Sequence, residues 1–580
     1  MVEENMGLDS FSKPDIIEAP KSEVKTPSNS TKAHEMAKKQ RDISIAEFFE
    51  KNRHLLGFDN KRKALLTTIK EAVDNSLDAC DEAGILPELE IVMTDMGNDR
   101  FRISIEDNGP GIVKNQIPKI FAKLLYGSKF HSLRQSRGQQ GIGISASVMY
   151  GQLTTGRAAV IRSKIGPNQP AHYYELKIDT QKNMPAIMKD EIRDWTSDHG
   201  TKITIDLEGS YLKGSQSVDE YLKQTAIINP HAAIIYVNPK GEQIIFPRAS
   251  DKLPFQPEEI KPHPYGIELG ILQKMLKWTK EKNIKLFLQR EFSRVGSKTA
   301  MELLEKAAIL PTATPARISH ESAEKIIEAI RNTKIMTPPT DCISPIGAEL
   351  LEKGLKKEVN AEFYTSVTRP PAVYRGNPFI IEAALAYGGT LQAEGSVQLL
   401  RFANKVPLLY QQGACAVTDS MCKTSWRSYG LQQSGNNMPQ GPCVILVHIA
   451  SVWVPFTSEA KEALAHYPEI IKEIKLALQE LGRNLYRYVG KKRRVHDEIK
   501  KRSYIEKYIP HVADALKDIL HYSDIEEKNV VELLEELLEK QRGEVEDMTF
   551  DKNKNEEYDE EFASIGKEEQ EEQSDKEELE

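Results

Sequence analysis

The chain has 580 residues, of which 28% are charged, and its formal net charge is −8. This length is too great for one hydrophobic core and predicts three or four domains. The five cysteines include no Cys-x-x-Cys pair, which argues against disulfides and a zinc site. There is no apolar run of ~20 residues and no signal-peptide pattern, so we expect no membrane partner and a cytoplasmic location.

The negative charge is concentrated at the C-terminal end. Residues 556–580 hold 13 acidic residues and 2 lysines, a net of −11, which leaves +3 for the rest of the chain. We expect an acidic disordered tail over residues 546–580, and a disordered N-terminal segment over residues 1–40, which carry scattered charges and prolines. The body of the chain is therefore mildly basic.

The first informative segment in chain order is residues 71–80, where Glu71 and Asn75 are spaced to share one face of a helix. The carboxylate can activate a water, and the amide oxygen can ligate Mg²⁺, which leaves its other positions to phosphates and water. An ordinary amphipathic helix with polar outer residues is the alternative interpretation.

Residues 102–112 alternate apolar and polar side chains like a half-buried strand and then turn. Asp107 would end the strand, where its carboxylate can accept a hydrogen bond from an exocyclic amine such as that of adenine. Gly109 and Gly111 would let the backbone approach the base. Alone, Asp-Asn-Gly is most often only a turn.

A loop with three glycines at Gly138, Gly141 and Gly143 precedes a predicted helix. Its backbone N–H groups and the helix N-terminus could cradle phosphates, although such a pattern alone is most often just a loop. The loop does not fit a Rossmann fingerprint, and the sequence has no Gly-x-x-x-x-Gly-Lys-Ser/Thr string. The specific signal is the order of the three segments.

The remaining chain predicts further domains. Residues 45–255 read as an α+β sandwich, and residues 267–335 as basic helices with a turn at Arg294–Lys298. That turn could bind DNA phosphates without sequence preference, or the region could be a packing domain with a solvated basic face. Residues 340–455 are rich in short strands, and a long helix is predicted from about Ser458 to Tyr488.

Several segments together resemble the GHKL ATPases, and within them the B subunits of DNA topoisomerase VI, over about residues 40–545. The four nucleotide-binding boxes of the superfamily are matched by Glu71 to Asn75, residues 107–111, Gly138 to Gly143, and His199 to Ile205. The more specific matches to topoisomerase VI B subunits are Leu124 to His131 and Trp426 to Leu431.

The resemblance implies an α+β multidomain chain. The expected parts are a disordered segment (1–40), a GHKL (Bergerat) ATPase α/β sandwich (41–258), a helix-two-turn-helix domain (259–338), a ribosomal-protein-S5-like transducer domain with a long helix (339–490), a basic helical extension (491–545) and the acidic disordered tail (546–580).

The resemblance also implies ATP and Mg²⁺ as cofactors. Glu71 would be the general base, Asn75 the Mg²⁺ ligand, and Asp107 the reader of adenine, supported through water by Thr201. The other expected nucleotide contacts are Gly109, Gly111, Ser128, Lys129, Arg137, Gly138, Gln139, Gln140, Gly141, Ile142, Gly143 and Ile144.

In the family, a lysine within a Trp-Lys-x-Tyr-Gly motif reaches the γ-phosphate from a second domain. The matching residue here is Arg427, which would serve both catalysis and nucleotide binding. Arginine keeps the charge, but its guanidinium is broader than an ammonium, which puts the rate of hydrolysis in question. A solvated strand residue is the alternative.

The implied function is the ATP-hydrolysing subunit of a type II DNA topoisomerase that relaxes and decatenates DNA. The expected partners are a DNA-cleaving A subunit in an A2B2 heterotetramer, a second B subunit upon ATP binding, and double-stranded DNA bound without sequence preference in the nucleoid. The alternatives are a histidine kinase, for which only His34 and His54 lie upstream of the predicted site, and an ATP-clamped chaperone or repair scaffold.

Overall fold

The computed structural model describes residues 43–542 except 130–131, 139–140, 459 and 522, together with Lys32 and Met36. The predicted N-terminal segment (1–40) therefore lies almost entirely outside the described residues, and the acidic tail (546–580) lies wholly outside them. Contacts divide the chain after Ser44, and the unit that begins at Ile45 holds both sheets.

The N-terminal half contains an eight-stranded sheet. Its strands are β1 (Glu88–Asp95), β2 (Arg100–Asp107), β3 (Ala159–Lys164), β4 (His172–Asp179), β5 (Met184–Ile192), β6 (Gly200–Glu208), β7 (Ala233–Val237) and β8 (Gln243–Phe246). They lie in the order β5-β4-β3-β6-β2-β1-β7-β8, in which only the β1–β7 pair is parallel. The accompanying helices are α1 (Ile45–Lys51), α2 (Lys61–Ala83), α3 (Ile117–Ala122), α4 (Gly143–Thr155) and α5 (Val218–Ile228).

The helix predicted around Glu71 is α2. The Asn60 side chain caps its N-terminus by accepting a hydrogen bond from Lys63 N, and Gly84 ends it in the left-handed region. One stripe of the helix packs on the sheet through Leu65, Ile69, Val73 and Leu77, against Phe101, Ile103 and Ile105 of β2. The polar residues on the other face of α2 therefore point away from this core.

Four helices follow the first sheet, namely α6 (Leu269–Trp278), α7 (Ile284–Glu291), α8 (Ser297–Lys306) and α9 (His320–Arg331). They have a hydrophobic core of their own. Of the predicted turn at Arg294–Lys298, residues 294–296 lie between α7 and α8, whereas Ser297 and Lys298 already belong to α8. Arg294 adopts the left-handed conformation there, and its Nε donates to the carbonyl of Thr337.

The C-terminal half contains a second, six-stranded sheet. Its elements are α10 (Ala348–Glu358), β9 (Phe363–Thr368), β10 (Ala372–Tyr374), β11 (Asn377–Tyr387), β12 (Gln398–Ala403), β13 (Val406–Pro407), α11 (Ala416–Cys422), β14 (Cys443–Ser451), α12 (Pro468–Leu520) and α13 (Asp524–Arg542). The order is β10-β11-β14-β12-β13, with β9 also paired to β11. Short 3-10 helices occur at Arg53–Leu56, Lys114–Gln116, Pro264–Gly266, Pro315–Arg317, Gln412–Ala414 and Trp426–Tyr429.

Strand β14 is buried on both faces. Its odd-numbered residues from Cys443 to Ile449 pack in the core of α12, and Val444 and Leu446 pack with α10. That second core also contains Ile227 and Ile228 of α5, so it joins the two halves of the chain. A Cβ on Gly354 of α10 would lie 2.1 Å from the carbonyl oxygen of Ile227, so this close approach requires glycine.

The long helix differs from its predicted bounds. It begins at Pro468, the first helical residue, and continues through the basic cluster at 491–502 and past Pro510 to Leu520. Residues 458 and 460–467, which were predicted to be helical, form a loop instead. Phe456 bridges Leu464 across this loop, and the buried Leu464 accepts a hydrogen bond from Ala416 N. Apolar spacing alone did not distinguish this buried loop from a helical turn.

Candidate functional site

A cavity of about 650 Å³ lies beside the polar face of α2. The loops after β2 and before α4 form part of its wall, and β6 contributes Thr201. Residues of the C-terminal half complete the lining, namely Pro407, Leu409, Tyr410, Ala460, Lys461 and Glu462. The cavity is thus built from both halves of the chain.

Glu71 and Asn75 both line this cavity, as their spacing on one helix face predicts. The Glu71 carboxylate lies against Gly143, the first residue of α4. A Cβ on Gly143 would be 1.7 Å from Glu71 Oε2, so only glycine leaves room for the acid. The Asn75 side chain is exposed, which leaves its amide oxygen accessible to a ligand.

Asp107 ends β2, as predicted, and its carboxylate is held at both oxygens. Oδ1 accepts hydrogen bonds from the N–H groups of Gly109 (3.0 Å) and Thr201 (3.1 Å), and Oδ2 accepts one from Ser76 Oγ (2.7 Å). Burial raises the pKa of Asp107, and these hydrogen bonds oppose that rise. The group is therefore oriented as an acceptor at the cavity wall.

Three residues that were predicted to contact the nucleotide, Thr201, Gly111 and Gly109, lie close to Asp107 or to its loop. Thr201 contacts Asp107 directly through its main-chain N–H, and its hydroxyl pairs with Ser163 Oγ at 3.0 Å. Gly111 lines the cavity with a φ of +71°, and a Cβ there would lie 2.0 Å from the carbonyl oxygen of Lys164. Gly109 does not line the cavity, but its N–H fixes Asp107.

The loops on the other side of the cavity contain most of the remaining predicted contacts. Those that line it are Ser128, Lys129, Gly138, Gly141, Ile142, Gly143 and Ile144. Gln139 and Gln140, and Phe130 and His131 of the family-like segment, lie outside the described residues. The Lys129 ammonium forms an ion pair with Asp78 at one edge of the cavity.

Arg137 is placed differently from its predicted role. Its guanidinium is buried outside the cavity, where it donates to Asp78 (2.9 Å), Asp81 (2.7 Å) and the amide oxygen of Asn229 (2.5 Å). Burial alone would raise the pKa of Asp78, but the charges of Lys129 and Arg137 outweigh it and lower that pKa to about 2. The side chain of Arg137 is thus paired with these carboxylates and does not line the cavity.

Arg427, which was predicted to reach the γ-phosphate, also lies outside the cavity. It lies in the 3-10 turn Trp426–Tyr429, and its Nε donates to the carbonyl of Gln433. It lines a separate open cavity with Gly430, Leu431, Gln432, Gln433, Ser434 and Gln440. The neighbouring Trp426 and Tyr429 are buried in the core of the second sheet, whereas Arg427 itself is exposed.

The cation that the C-terminal half does bring to the cavity is Lys461. It lies in the loop before α12, is only 9% exposed, and donates from Nζ to the carbonyl of Arg137 at 3.1 Å. The adjacent Glu462 pairs with Lys63 of α2 at 2.5 Å, which anchors this loop to the helix of Glu71. Sequence reasoning missed Lys461 because the segment was interpreted as the start of the long helix.

Three further observations concern the described part of the chain. It contains no group of three or more His, Cys, Asp or Glu residues arranged to hold a metal ion. All five cysteines are free, as predicted. None of its helices is long and apolar enough to cross a membrane.

Replacing Arg137 with Met should lower the free energy of unfolding by about 3–5 kcal/mol, because Asp78 and Asp81 would lose the buried guanidinium that bridges them and keep only Lys129 and His231 as partners. Urea denaturation followed by circular dichroism measures this. The control is Lys213→Met, which breaks an exposed pair with Glu242 and should cost less than about 1 kcal/mol. Equal losses in the two variants would contradict the buried cluster.

Replacing Asp74 with Asn should increase stability at neutral pH. Burial raises the pKa of Asp74 to about 6, so folding becomes less favourable as pH rises from about 4 through 6 and the carboxyl loses its proton. Asparagine cannot ionise, and its amide oxygen can still accept the Tyr221 hydroxyl. The stability advantage of the variant should grow by about 3 kcal/mol between pH 4 and pH 8 in urea titrations. An advantage independent of pH would contradict this.

Comparison with known proteins agrees with the cavity's construction. Residues 60–209 match the family of histidine kinase-, DNA gyrase B- and HSP90-like ATPases. Residues 338–501 match the transducer of the topoisomerase VI B subunit. The first range contains Glu71, Asn75 and Asp107, and the second contains Lys461.

Three curated relatives are named as the B subunit of type 2 DNA topoisomerase 6. The protein of Methanococcoides burtonii is 52% identical over 489 residues, covering 84% of this chain and 79% of the relative. Those of Methanosarcina acetivorans (52%, covering 86% and 80%) and Archaeoglobus fulgidus (49%, covering 86% and 82%) are similarly close. The chain therefore belongs to the family of ATP-dependent type 2 DNA topoisomerase 6 B subunits.

Proposed function

We propose that this chain binds ATP with Mg²⁺ in the cavity between α2 and the transducer domain, and hydrolyses it to drive passage of one DNA duplex through another. The observation that carries this proposal is that Glu71, Asn75, Asp107 and Lys461 line or border a single cavity of about 650 Å³. That volume is within the range of small-molecule and cofactor sites.

Each residue that lines the cavity would have a role that follows from its chemistry. Asp107 would accept the exocyclic amine of adenine, because its carboxylate is fixed by Ser76, Gly109 and Thr201. Glu71 would take the proton of the attacking water as a general base. Gly141 to Ile144 would offer main-chain N–H groups to the phosphates at the start of α4. Ser128 and Lys129 would contact the nucleotide from the lid.

The donor set fits Mg²⁺, because the exposed amide oxygen of Asn75 lies beside the Glu71 carboxylate and Mg²⁺ prefers oxygen ligands. When bound with the nucleotide, the ion would neutralise charge on the phosphates. Asn75 would hold it, and Glu71 would remain free to accept a proton.

Lys461 would be the cation that reaches the γ-phosphate from the transducer domain. An ammonium has three N–H donors, and one of them is directed at the carbonyl of Arg137. The others are available to a phosphate oxygen. A contact between Lys461 and the γ-phosphate would form only in the arrangement of the domains that brings them together. ATP would then bind that arrangement more tightly than others, and this difference in affinity is what shifts a conformational equilibrium.

We assign the domains as the sequence predicts, with an ATPase domain (41–258), a helix-two-turn-helix domain (259–338), a transducer domain (339–490) and a helical extension (491–545). The partners would be an A subunit in an A2B2 heterotetramer, a second B subunit upon ATP binding, and double-stranded DNA in the nucleoid. Exposed apolar residues near the end of α12, including Tyr504, Tyr508 and Ile519, support a protein partner for the extension.

Glu71→Gln should lower the turnover of ATP by about 10²- to 10⁴-fold, because glutamine keeps the packing against Gly143 but cannot accept a proton. Binding of ATP and nucleotide-dependent dimerisation should persist. Phosphate release and sedimentation measure these, with Glu90→Gln at an exposed position of β1 as the control. If the complex with the A subunit relaxed DNA undiminished after the Glu71 change, the proposed mechanism would be wrong.

Lys461→Met should lower ATP turnover by about 100-fold, because the transition state would lose its stabilising cation. Arg427→Met removes a cation of similar length that lies outside the cavity, and should leave turnover near the wild-type rate. Steady-state phosphate release compares the two. The reverse ranking would restore Arg427 as the residue that contacts the nucleotide.

A further inference from the structure

One segment of the nucleotide lid is held between the two domains. It comprises residues 133–138, which lead into the glycine loop, and is called the clamped segment below. On the ATPase side, the N–H groups of Arg137 and Gly138 donate to the Asp78 carboxylate at 3.4 and 3.3 Å. The same carboxylate binds the Arg137 guanidinium, so the end of the segment is fixed to α2.

Three consecutive residues of the clamped segment bond to the C-terminal half through the main chain. Gln135 N donates to the carbonyl of Cys342 at 2.9 Å. The Ser136 carbonyl accepts from Asn404 Nδ2 at 3.2 Å, and the Arg137 carbonyl accepts from Lys461 Nζ at 3.1 Å. These partners come from three separate stretches of the chain, so the contact is not made by the Lys461 loop alone.

Asn404 connects the clamped segment to the transducer sheet. It occupies the turn between β12 and β13 together with Lys405, and both residues have a positive φ (48° and 65°), a conformation that asparagine tolerates well. Its side chain also bonds Ser451, the last residue of the central strand β14. Asn404 Nδ2 donates to the Ser451 carbonyl, and Asn404 Oδ1 accepts from Ser451 N, both at 2.9 Å. Asn404 is 3% exposed, so water does not readily replace these bonds.

We propose that Asn404 is a positioning residue that couples the order of the nucleotide lid to the transducer sheet. The proposal rests on the proposed function, since it takes ATP as the ligand of the cavity. ATP bound against Gly138 and Gly141 would also hold the clamped segment in place, and Asn404 would transmit this restraint to β14 through Ser451. Coupling is reciprocal, so the intact contact must also strengthen nucleotide binding.

The test uses Asn404→Asp in the full chain. Aspartate tolerates the same turn and still accepts from Ser451 N, but it replaces the amide donor with an oxygen that faces the carbonyls of Ser136 and Ser451. The matched control is Asn98→Asp, because Asn98 has a φ of 54° in the β1–β2 turn, far from the cavity in the sheet. The probe is a non-hydrolysable ATP analogue with Mg²⁺.

Two measurements separate coupling from a general loss of structure. Affinity for the analogue should fall roughly tenfold in Asn404→Asp and stay unchanged in Asn98→Asp, as expected for one buried hydrogen bond. At saturating analogue, hydrogen exchange should show protection of α2 and the 107–111 loop in all three proteins. Protection of residues 404–408 and 449–451 should appear in wild type and in Asn98→Asp, and be lost in Asn404→Asp.

A second variant, Asn404→Gly, removes the amide without introducing repulsion, and glycine suits the positive φ. In this variant, hydrogen-exchange protection of residues 404–408 and 449–451 upon analogue binding should also be lost, even if the aspartate variant folds poorly. Unchanged transducer protection in both variants would overturn the coupling role. Failure of the wild-type protein to bind the analogue would overturn the proposed function itself, and the coupling with it.

Discussion

The negative charges of Asp78 and Asp81 on α2 must be balanced, and this requirement fixes the position of the segments that line the cavity beside α2. Both acids lie on α2, within two turns of Asn75, and their partners Lys129, Arg137 and His231 come from segments distant in sequence. A buried carboxylate without a partner is costly, so the lid must return to α2 at this place. Because α2 is one continuous helix, the lid is thereby held at a fixed distance from Glu71.

The elements that sequence predicted correctly are those with a local physical signal. Helical spacing identified Glu71 and Asn75, and a strand followed by a glycine turn identified Asp107. The ion pairs of Arg137 join residues more than fifty positions apart, and no local pattern encodes them. A glycine-loop arginine was therefore read as a phosphate ligand when its charge is used to fold the lid.

The proposal of Lys461 in place of Arg427 also depends on contacts that are distant in sequence. A short motif singled out Arg427 beside aromatic residues, whereas the loop of Lys461 is joined to the cavity region through Lys63 and the carbonyl of Arg137. Family membership also removes the histidine kinase and scaffold alternatives, which the motifs alone had left open. The core that α5 shares with the second sheet holds the two halves close together, which is consistent with the position of Lys461 at the cavity.

The length of α12 has a geometric consequence. Its apolar residues from Ile470 to Leu485 are buried against the second sheet, and the helix continues to Leu520. Tyr488 still stacks on Phe363 of β9, and Lys492 pairs with Glu362, so contact continues to Lys492. At 1.5 Å per residue, the part beyond Lys492 is about 40 Å long, and a tilt of about 10° at its base would move the far end by about 7 Å. Sub-ångström repacking beside β14 would be amplified over this distance by rigid-body rotation alone.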